Sequence, residues 1–262
     1  MFYYFGYGSN LNLASLRAKG VEPRESLRGK LPGWKLVFDV RHWFRHEGGV
    51  GNIRLSDDER DRVEGLVHHC DDHHLALLDT LESYGVGYDR IEVEVETDLG
   101  PVKALTYLGL PAHFDPACLP TQRYLNIVLQ GAVSAGLHPS YLERLRAQPV
   151  LPLKDYPPFE HPPEPLAWFD SASLAQHPQY TALAGAVFDM TQARPELHCV
   201  KDLFGGKDMT LFHLRRLDTS DGRDTLDDFK GGRLREAARR YLNAYLHEFQ
   251  LEYRYVGRYR YD

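Results

Sequence analysis

Two places in the sequence carry residues able to do chemistry together. The first is Tyr7-Gly8-Ser9-Asn10-Leu11. Glycine is permissive in φ, and Ser and Asn cap helices, so the stretch reads as a strand turning sharply into a helix. Successive N–H groups at such a start form a cradle for an anion, above all a carboxylate. The second is Glu82, at the end of a leucine-rich helical pattern. A carboxylate there can take a proton from a reacting group and return it. Taken singly, each has a plainer reading: an ordinary turn, and a solvated carboxylate at a helix end.

The elements that must position these residues are legible in part. Residues 1–7 are dense in strand-forming aromatics, and Leu11, Leu13 and Leu16 suit a short helix after the turn. Residues 34–40 and 62–69 read as strands, and Gly48-Gly49-Val50-Gly51 as a tight connection. Asp71-Asp72 are placed to cap a helix over 73–82 with Leu75, Leu77, Leu78 and Leu81 on its apolar face. Residues 90–97 alternate strictly and form a half-buried strand, paired through a turn at 98–101 with 102–108. Helices over 123–135 and 139–147 close this half.

Seven of the 17 residues from Pro149 to Pro165 are proline, a composition that neither a helix nor a central strand tolerates. A semi-rigid linker over 149–165 is expected, between domains at 1–148 and 166–262. Beyond it the pattern predicts a helix at 171–176, a strand at 182–188, short helices around Gly205-Gly206, a charged helix over 233–249 and an aromatic tail at 252–261.

Bulk properties exclude several classes. A 43% apolar share supports a sizeable core, and a formal charge of −6 argues against a general nucleic-acid binder. Cys70, Cys118 and Cys199 are too few and too far apart for a disulfide framework or a zinc site. With no leader pattern and no apolar run near membrane length, a cytoplasmic protein without a membrane partner is expected. His68-His69-Cys70-Asp71-Asp72-His73-His74 invites a metal reading. His69 and His73 share a face only if one helix runs through both, and the strand-to-helix change falls between them. No metal is expected, and Cys70 has no organised base to make it a nucleophile.

Read together, the N-terminal motifs resemble the γ-glutamyl cyclotransferase family. Phe5-Gly6-Tyr7-Gly8-Ser9-Asn10-Leu11 resembles its opening signature, and Leu78-Asp79-Thr80-Leu81-Glu82 with Tyr88-Asp89-Arg90 its "Leu-Asp-x-x-Glu…Tyr-x-Arg" segment. The likeness extends through Gly29-x-Leu31-x-Gly33-x-x-Leu36-x-Phe38, Ala104-x-x-Tyr107, and Gly131-Ala132…Gly136-Leu137…Tyr141-x-x-x-Leu145, over residues 1–148. It implies a mixed β-barrel with flanking helices and release of 5-oxoproline from a small-molecule γ-glutamyl amide or amine. It also implies Glu82 as catalytic acid/base, with Tyr7, Gly8, Ser9, Asn10, Leu11, Tyr88 and Tyr107 binding substrate. For Tyr88 and Tyr107, plain aromatic packing stands beside that role. Two departures stand out. Ser83-Tyr84 follow Glu82 where the family commonly has Gly, and His42-Trp43-Phe44-Arg45-His46 form an aromatic, basic insert. The insert reads as a surface loop, or as a reader of the leaving group.

In the C-terminal half, Val187-Phe188-Asp189-Met190-Thr191, Phe204-Gly205-Gly206-Lys207-Asp208-Met209-Thr210 and the ending from Phe249 to Gly257 resemble the cytochrome b5-like fold, including its membrane-associated progesterone-receptor branch. The haem ligands are not kept. The His-Pro-Gly-Gly element is missing with only His198 nearby, Asp218 stands where a second His is expected, and Lys201 where the branch has Tyr. The expected class is therefore α+β: a cyclotransferase-like barrel joined to a smaller, degenerate cytochrome b5-like domain, with no cofactor. The rivals are a non-catalytic two-domain binding protein and a haem protein ligated through His198.

Overall fold

The structure, a computed structural model, describes residues 1–163, 167–217 and 223–261. The chain divides into two compact units, Met1–Leu153 and Lys154–Asp262.

In the first unit the elements run β1 (Phe2–Gly6), α1 (Leu13–Ala18), β2 (Glu25–Pro32), β3 (Trp34–Arg41), β4 (Gly49–Leu55), β5 (Arg62–Cys70), α2 (His73–Leu81), β6 (Tyr88–Thr97), β7 (Gly100–Gly109), α3 (Gln122–Ser134) and α4 (Pro139–Arg146). Strands β1-β5-β2-β6-β7 close into a barrel. Its neighbours are antiparallel except β1 and β7, which run parallel with Tyr4 opposite Leu105. The alternation of residues 90–97 turns Val93 and Val95 inward and Glu92, Glu94 and Glu96 to solvent. Phe5, Val63, Val67 and Val95 are fully buried inside, each side chain contributing about 1.5–3 kcal/mol.

One barrel strand lies where the sequence pattern assigned nothing, and two local expectations are corrected. Residues 25–32 form a full barrel strand between β5 and β6, although Gly29 and Pro32 lower their strand propensity; pairing with β5 along the whole length overrides it. The 48–51 segment runs into β4, paired with β3, instead of making a tight connection. Gly49 permits this, since a Cβ there would lie 2.0 Å from the Phe38 carbonyl oxygen. Asp72 occupies the cap position of α2 without a side-chain cap bond, and Asp71 pairs instead with Arg24 at 2.8 Å.

The insert is a packed segment with a short 3-10 turn at Arg45–Glu47. Phe44 is buried, and Glu47 is buried against Arg123 of α3 at 2.6 Å. Trp43 lies over Gly87, where an added Cβ would meet its ring at 2.7 Å, and stands edge-on to His113.

The second unit carries β8 (Trp168–Phe169), α5 (Ser171–Ala175), β9 (Tyr180–Leu183), β10 (Ala186–Asp189), α6 (His198–Phe204), β11 (Lys207–Asp208), α7 (Thr210–Leu217), α8 (Leu226–Lys230), α9 (Glu236–Glu252) and β12 (Arg254–Tyr259). Its sheet has the order β11-β9-β10-β12-β8. The single strand expected at 182–188 is a hairpin: Ala184 (φ 47°) and Gly185 (φ 86°) make the two-residue turn between β9 and β10. The aromatic tail is β12, antiparallel to β10. Within the proline-rich stretch, Tyr156 Oη donates to Glu248 of α9 and Phe159 N–H to Asn243, each at 2.8 Å. Among the described residues no helix is long and apolar enough to cross a membrane.

Candidate active site

Strand β1 delivers Tyr7 to the end of the barrel, and a 3-10 turn at Ser9–Leu11 follows, closed by Leu11 N–H donating to Gly8 O at 3.0 Å. Asn12 then caps α1, accepting from Ser15 N–H. Its amide donates to Ile127 O of α3 at 3.0 Å, which pins the loop to that helix. Gly131 of α3 allows the approach, because a Cβ there would lie 2.7 Å from the Asn12 backbone. Ser9 N–H and hydroxyl both turn to the Tyr124 oxygen. Among the described residues, the N–H groups of Gly8 and Asn10 meet no protein acceptor.

Glu82 is the C-cap of α2, half-buried. The chain leaves the helix through Ser83 in the left-handed region (φ 51°), with Tyr84 N–H donating to Asp79 O at 2.8 Å, a Schellman closure usually made by Gly. The Ser in place of Gly therefore keeps the turn and bears its strain.

Loop and carboxylate meet directly: Asn10 Nδ2 donates to Glu82 Oε1 at 2.7 Å and to Tyr4 Oη at 2.7 Å. Lys19 Nζ donates to Asn10 Oδ1 at 2.5 Å and to Ser9 Oγ at 3.0 Å. An ammonium is donor-only, so Lys19 selects the amide oxygen and turns the Asn10 nitrogen toward Glu82. Beneath the loop, His68 is fully buried between Asn10 O (3.0 Å, Nε2) and Ser26 Oγ (2.8 Å, Nδ1), and burial pushes it down to about 4. A neutral ring with the proton on Nε2 satisfies both partners, donating to Asn10 O and accepting from Ser26.

Five buried phenols gather around the carboxylate. Burial raises Tyr4, Tyr7, Tyr88, Tyr107 and Tyr124 above the ordinary tyrosine range, and the Glu82 charge pushes each further the same way. Tyr7 Oη donates to Tyr107 O (2.6 Å), Tyr88 Oη to Gly51 O (2.8 Å) and Tyr107 Oη to Asp79 Oδ1 (2.7 Å). Asp79 also takes Arg90 Nη1 at 2.6 Å, so the helix bearing Glu82 is tied to β6 and β7. Tyr88 and Tyr107 thus pack and hold the site at once.

Of the residues singled out in the sequence, Tyr7, Asn10, Glu82, Tyr88 and Tyr107 come together. Ser9 joins them through Lys19 and Tyr124, and Gly8 lies against the Tyr124 hydroxyl. Leu11 packs into the core with Leu125 and Val128 of α3. Tyr4, Lys19 and Tyr124 carry no signal in the sequence, and His68, weighed there only as part of a metal-like run, proves to support the loop.

The remaining candidates lie elsewhere. Among the described residues no group of three or more His, Cys, Asp or Glu is arranged to hold a metal. His69 faces Glu25 at 3.3 Å, and His73 and His74 lie ring to ring. Burial pushes the Cys70 thiol up to about 11, away from a nucleophilic thiolate. In the second unit His198 Nε2 contacts Ala193 O at 3.2 Å and Lys201 Nζ contacts Thr191 O at 3.4 Å. Each of these side chains thus lies against a backbone carbonyl. Asp218 lies outside the described residues.

A family model described as "Gamma-glutamyl cyclotransferase, AIG2-like" matches residues 4–125. The chain is 30% identical over 151 residues to the γ-glutamylcyclotransferase of Homo sapiens, covering 56% of this chain and 78% of the human protein. It is 29% identical, with the same coverage, to that of Mus musculus. A solved structure of a γ-glutamyl cyclotransferase superposes with a TM-score of 0.51 at 28% identity, covering 57% of this chain and 89% of the other.

Proposed function

Since the chain belongs to the γ-glutamyl cyclotransferase, AIG2-like family, a family of enzymes, we propose that its first unit cleaves a small γ-glutamyl amide. The products are 5-oxoproline and a free amine. Glu82 takes a proton from the α-ammonium, and the freed amine nitrogen attacks the γ-carbonyl carbon of the same molecule. The new C–N bond closes a five-membered ring and places negative charge on the carbonyl oxygen. Collapse breaks the bond to the leaving amine, which receives the first proton back from Glu82. The ring nitrogen then gives up its second extra proton through Glu82 to the departing amine, so that a neutral lactam and an ammonium product result. Intramolecular attack leaves the enzyme only conformation to fix and protons to move. The N–H groups of Gly8 and Asn10 are donors for the α-carboxylate or the oxyanion.

The observation that carries this reading is the Asn10–Glu82 hydrogen bond, which holds the loop and the base in one site. It leaves Glu82 Oε2 for the substrate ammonium. The test is a panel of γ-glutamyl amino acids and amines assayed for 5-oxoproline release beside Glu82→Gln. That variant is expected to lose about 10²–10⁴-fold in kcat with its thermal unfolding unchanged. Full turnover in Glu82→Gln sinks the base assignment.

For the second unit we propose a cytochrome b5-like fold that has lost its haem ligands. The support is the mixed five-stranded sheet with helices inserted between its strands, and the engaged contacts of His198 and Lys201. The full-length protein is expected to purify without a Soret band after growth with added haem; a stoichiometric Soret band overturns this.

A further inference from the structure

We propose that Tyr4 is a catalytic residue, its phenol O–H donating to the oxygen of the γ-carbonyl as that oxygen becomes negative. The inference rests on the cyclotransferase reading of the same site and names a donor that the loop and Glu82 do not supply.

Hydrogen-bond bookkeeping around Asn10 leads there. Lys19 occupies the Asn10 oxygen, so the amide presents both its hydrogens, one to Glu82 Oε1 and one to Tyr4 Oη, each at 2.7 Å. Tyr4 is therefore an acceptor toward Asn10, and its own proton must point elsewhere. Among the described residues it meets no protein acceptor. Three of the other four phenols differ: those of Tyr7, Tyr88 and Tyr107 donate to Tyr107 O, Gly51 O and Asp79, while the Tyr124 oxygen is taken by Gly51 N–H at 3.0 Å, away from Asn10.

Placement and chemistry agree with the role. Two bonds of 2.7 Å to one nitrogen set an upper limit of twice that distance between Tyr4 Oη and Glu82 Oε1. At that separation one small reacting group can lie within hydrogen-bond reach of both. The ring is held by Tyr107 edge-on at 5.8 Å and by His68 at 5.9 Å, with Tyr4 only 4% exposed. A fixed donor in such surroundings needs no reorganisation as charge develops. Burial and the neighbouring Glu82 keep the phenol protonated across the neutral range, so it remains a donor there.

The test separates donation from scaffolding, because Tyr4→Phe removes both the donor and the acceptor for Asn10. In the full-length protein, Tyr4→Phe is expected to lower kcat about 10²-fold with little change in KM. Site-specific replacement of Tyr4 by 3,5-difluorotyrosine then makes the hydroxyl a stronger donor and a weaker acceptor. The donor role predicts kcat at or above the wild-type value, whereas a role confined to holding Asn10 predicts a fall. A fall with difluorotyrosine, or wild-type kcat in Tyr4→Phe, overturns the inference while leaving the Glu82 mechanism standing. Absence of 5-oxoproline release by the wild-type protein across the substrate panel overturns the cyclotransferase reading, and this inference with it.

Discussion

Asn10 and Glu82, 72 positions apart in the chain, meet through a 2.7 Å hydrogen bond from the amide nitrogen to Oε1. The bond fixes one carboxylate oxygen, so the orientation of the proposed base depends on a neutral neighbour. Removing that neighbour by Asn10→Ala is expected to lower kcat/KM about 10²-fold, the effect of releasing a positioned acid–base group. Asn10→Asp keeps the shape but sets a second carboxylate against Glu82, and it is expected to be worse than Ala. Steady-state kinetics of the two variants on one γ-glutamyl substrate checks the order. An Asp variant as active as wild type contradicts it.

His68 gives the fold a pH dependence. Its buried, neutral ring is pushed down to about 4 in the folded chain, against about 6.5 when unfolded. Between those values the unfolded chain binds more protons, so stability is fully present above pH 6.5 and drains away as pH falls toward 4. The span corresponds to about 3 kcal/mol. Urea unfolding at pH 7.5, 5.5 and 4.5 measures the slope. His68→Gln is expected to flatten it while lowering stability at pH 7.5.

Ser83 makes a turn that favours glycine. Its φ of 51° lies in the left-handed region, where a non-Gly residue costs roughly 1 kcal/mol. Ser83→Gly is expected to return about 0.5–1 kcal/mol, part of it offset by the greater freedom of Gly in the unfolded chain. A shift of the denaturation midpoint upward at constant m is the signature. A midpoint that falls means that the contacts of the Ser83 side chain outweigh the strain.

How far the site can be read along the chain differs from residue to residue. The loop Tyr7–Leu11 and Glu82 stand out because each sits where a local pattern breaks: a strand running into a Gly-Ser-Asn turn, and a leucine face ending in a carboxylate. The β6–β7 hairpin is visible for the same reason, as alternation is a local property. β2 is hidden because Gly29 and Pro32 weaken the local signal, and only the ladder to β5 makes it a strand. The insert at 42–46 reads as surface because its aromatic and basic residues mix; burial of Phe44 and the Glu47–Arg123 pair give it a fixed place.

By itself, then, the sequence determined which segments are strands and helices wherever periodicity is strong, and it marked the loop and the carboxylate as chemical candidates. The tertiary structure alone decided that they share a site, and that Tyr4, Lys19, His68 and Tyr124 belong to it. Closing the barrel brings β1, β5 and the end of α2 together, and α3 lays Tyr124 against the loop. Such partners lie many residues apart, and which of them meet depends on strand register and on the face each side chain takes. Those are properties of the assembled sheet, set by long-range pairing and burial, and no short window of the chain contains them.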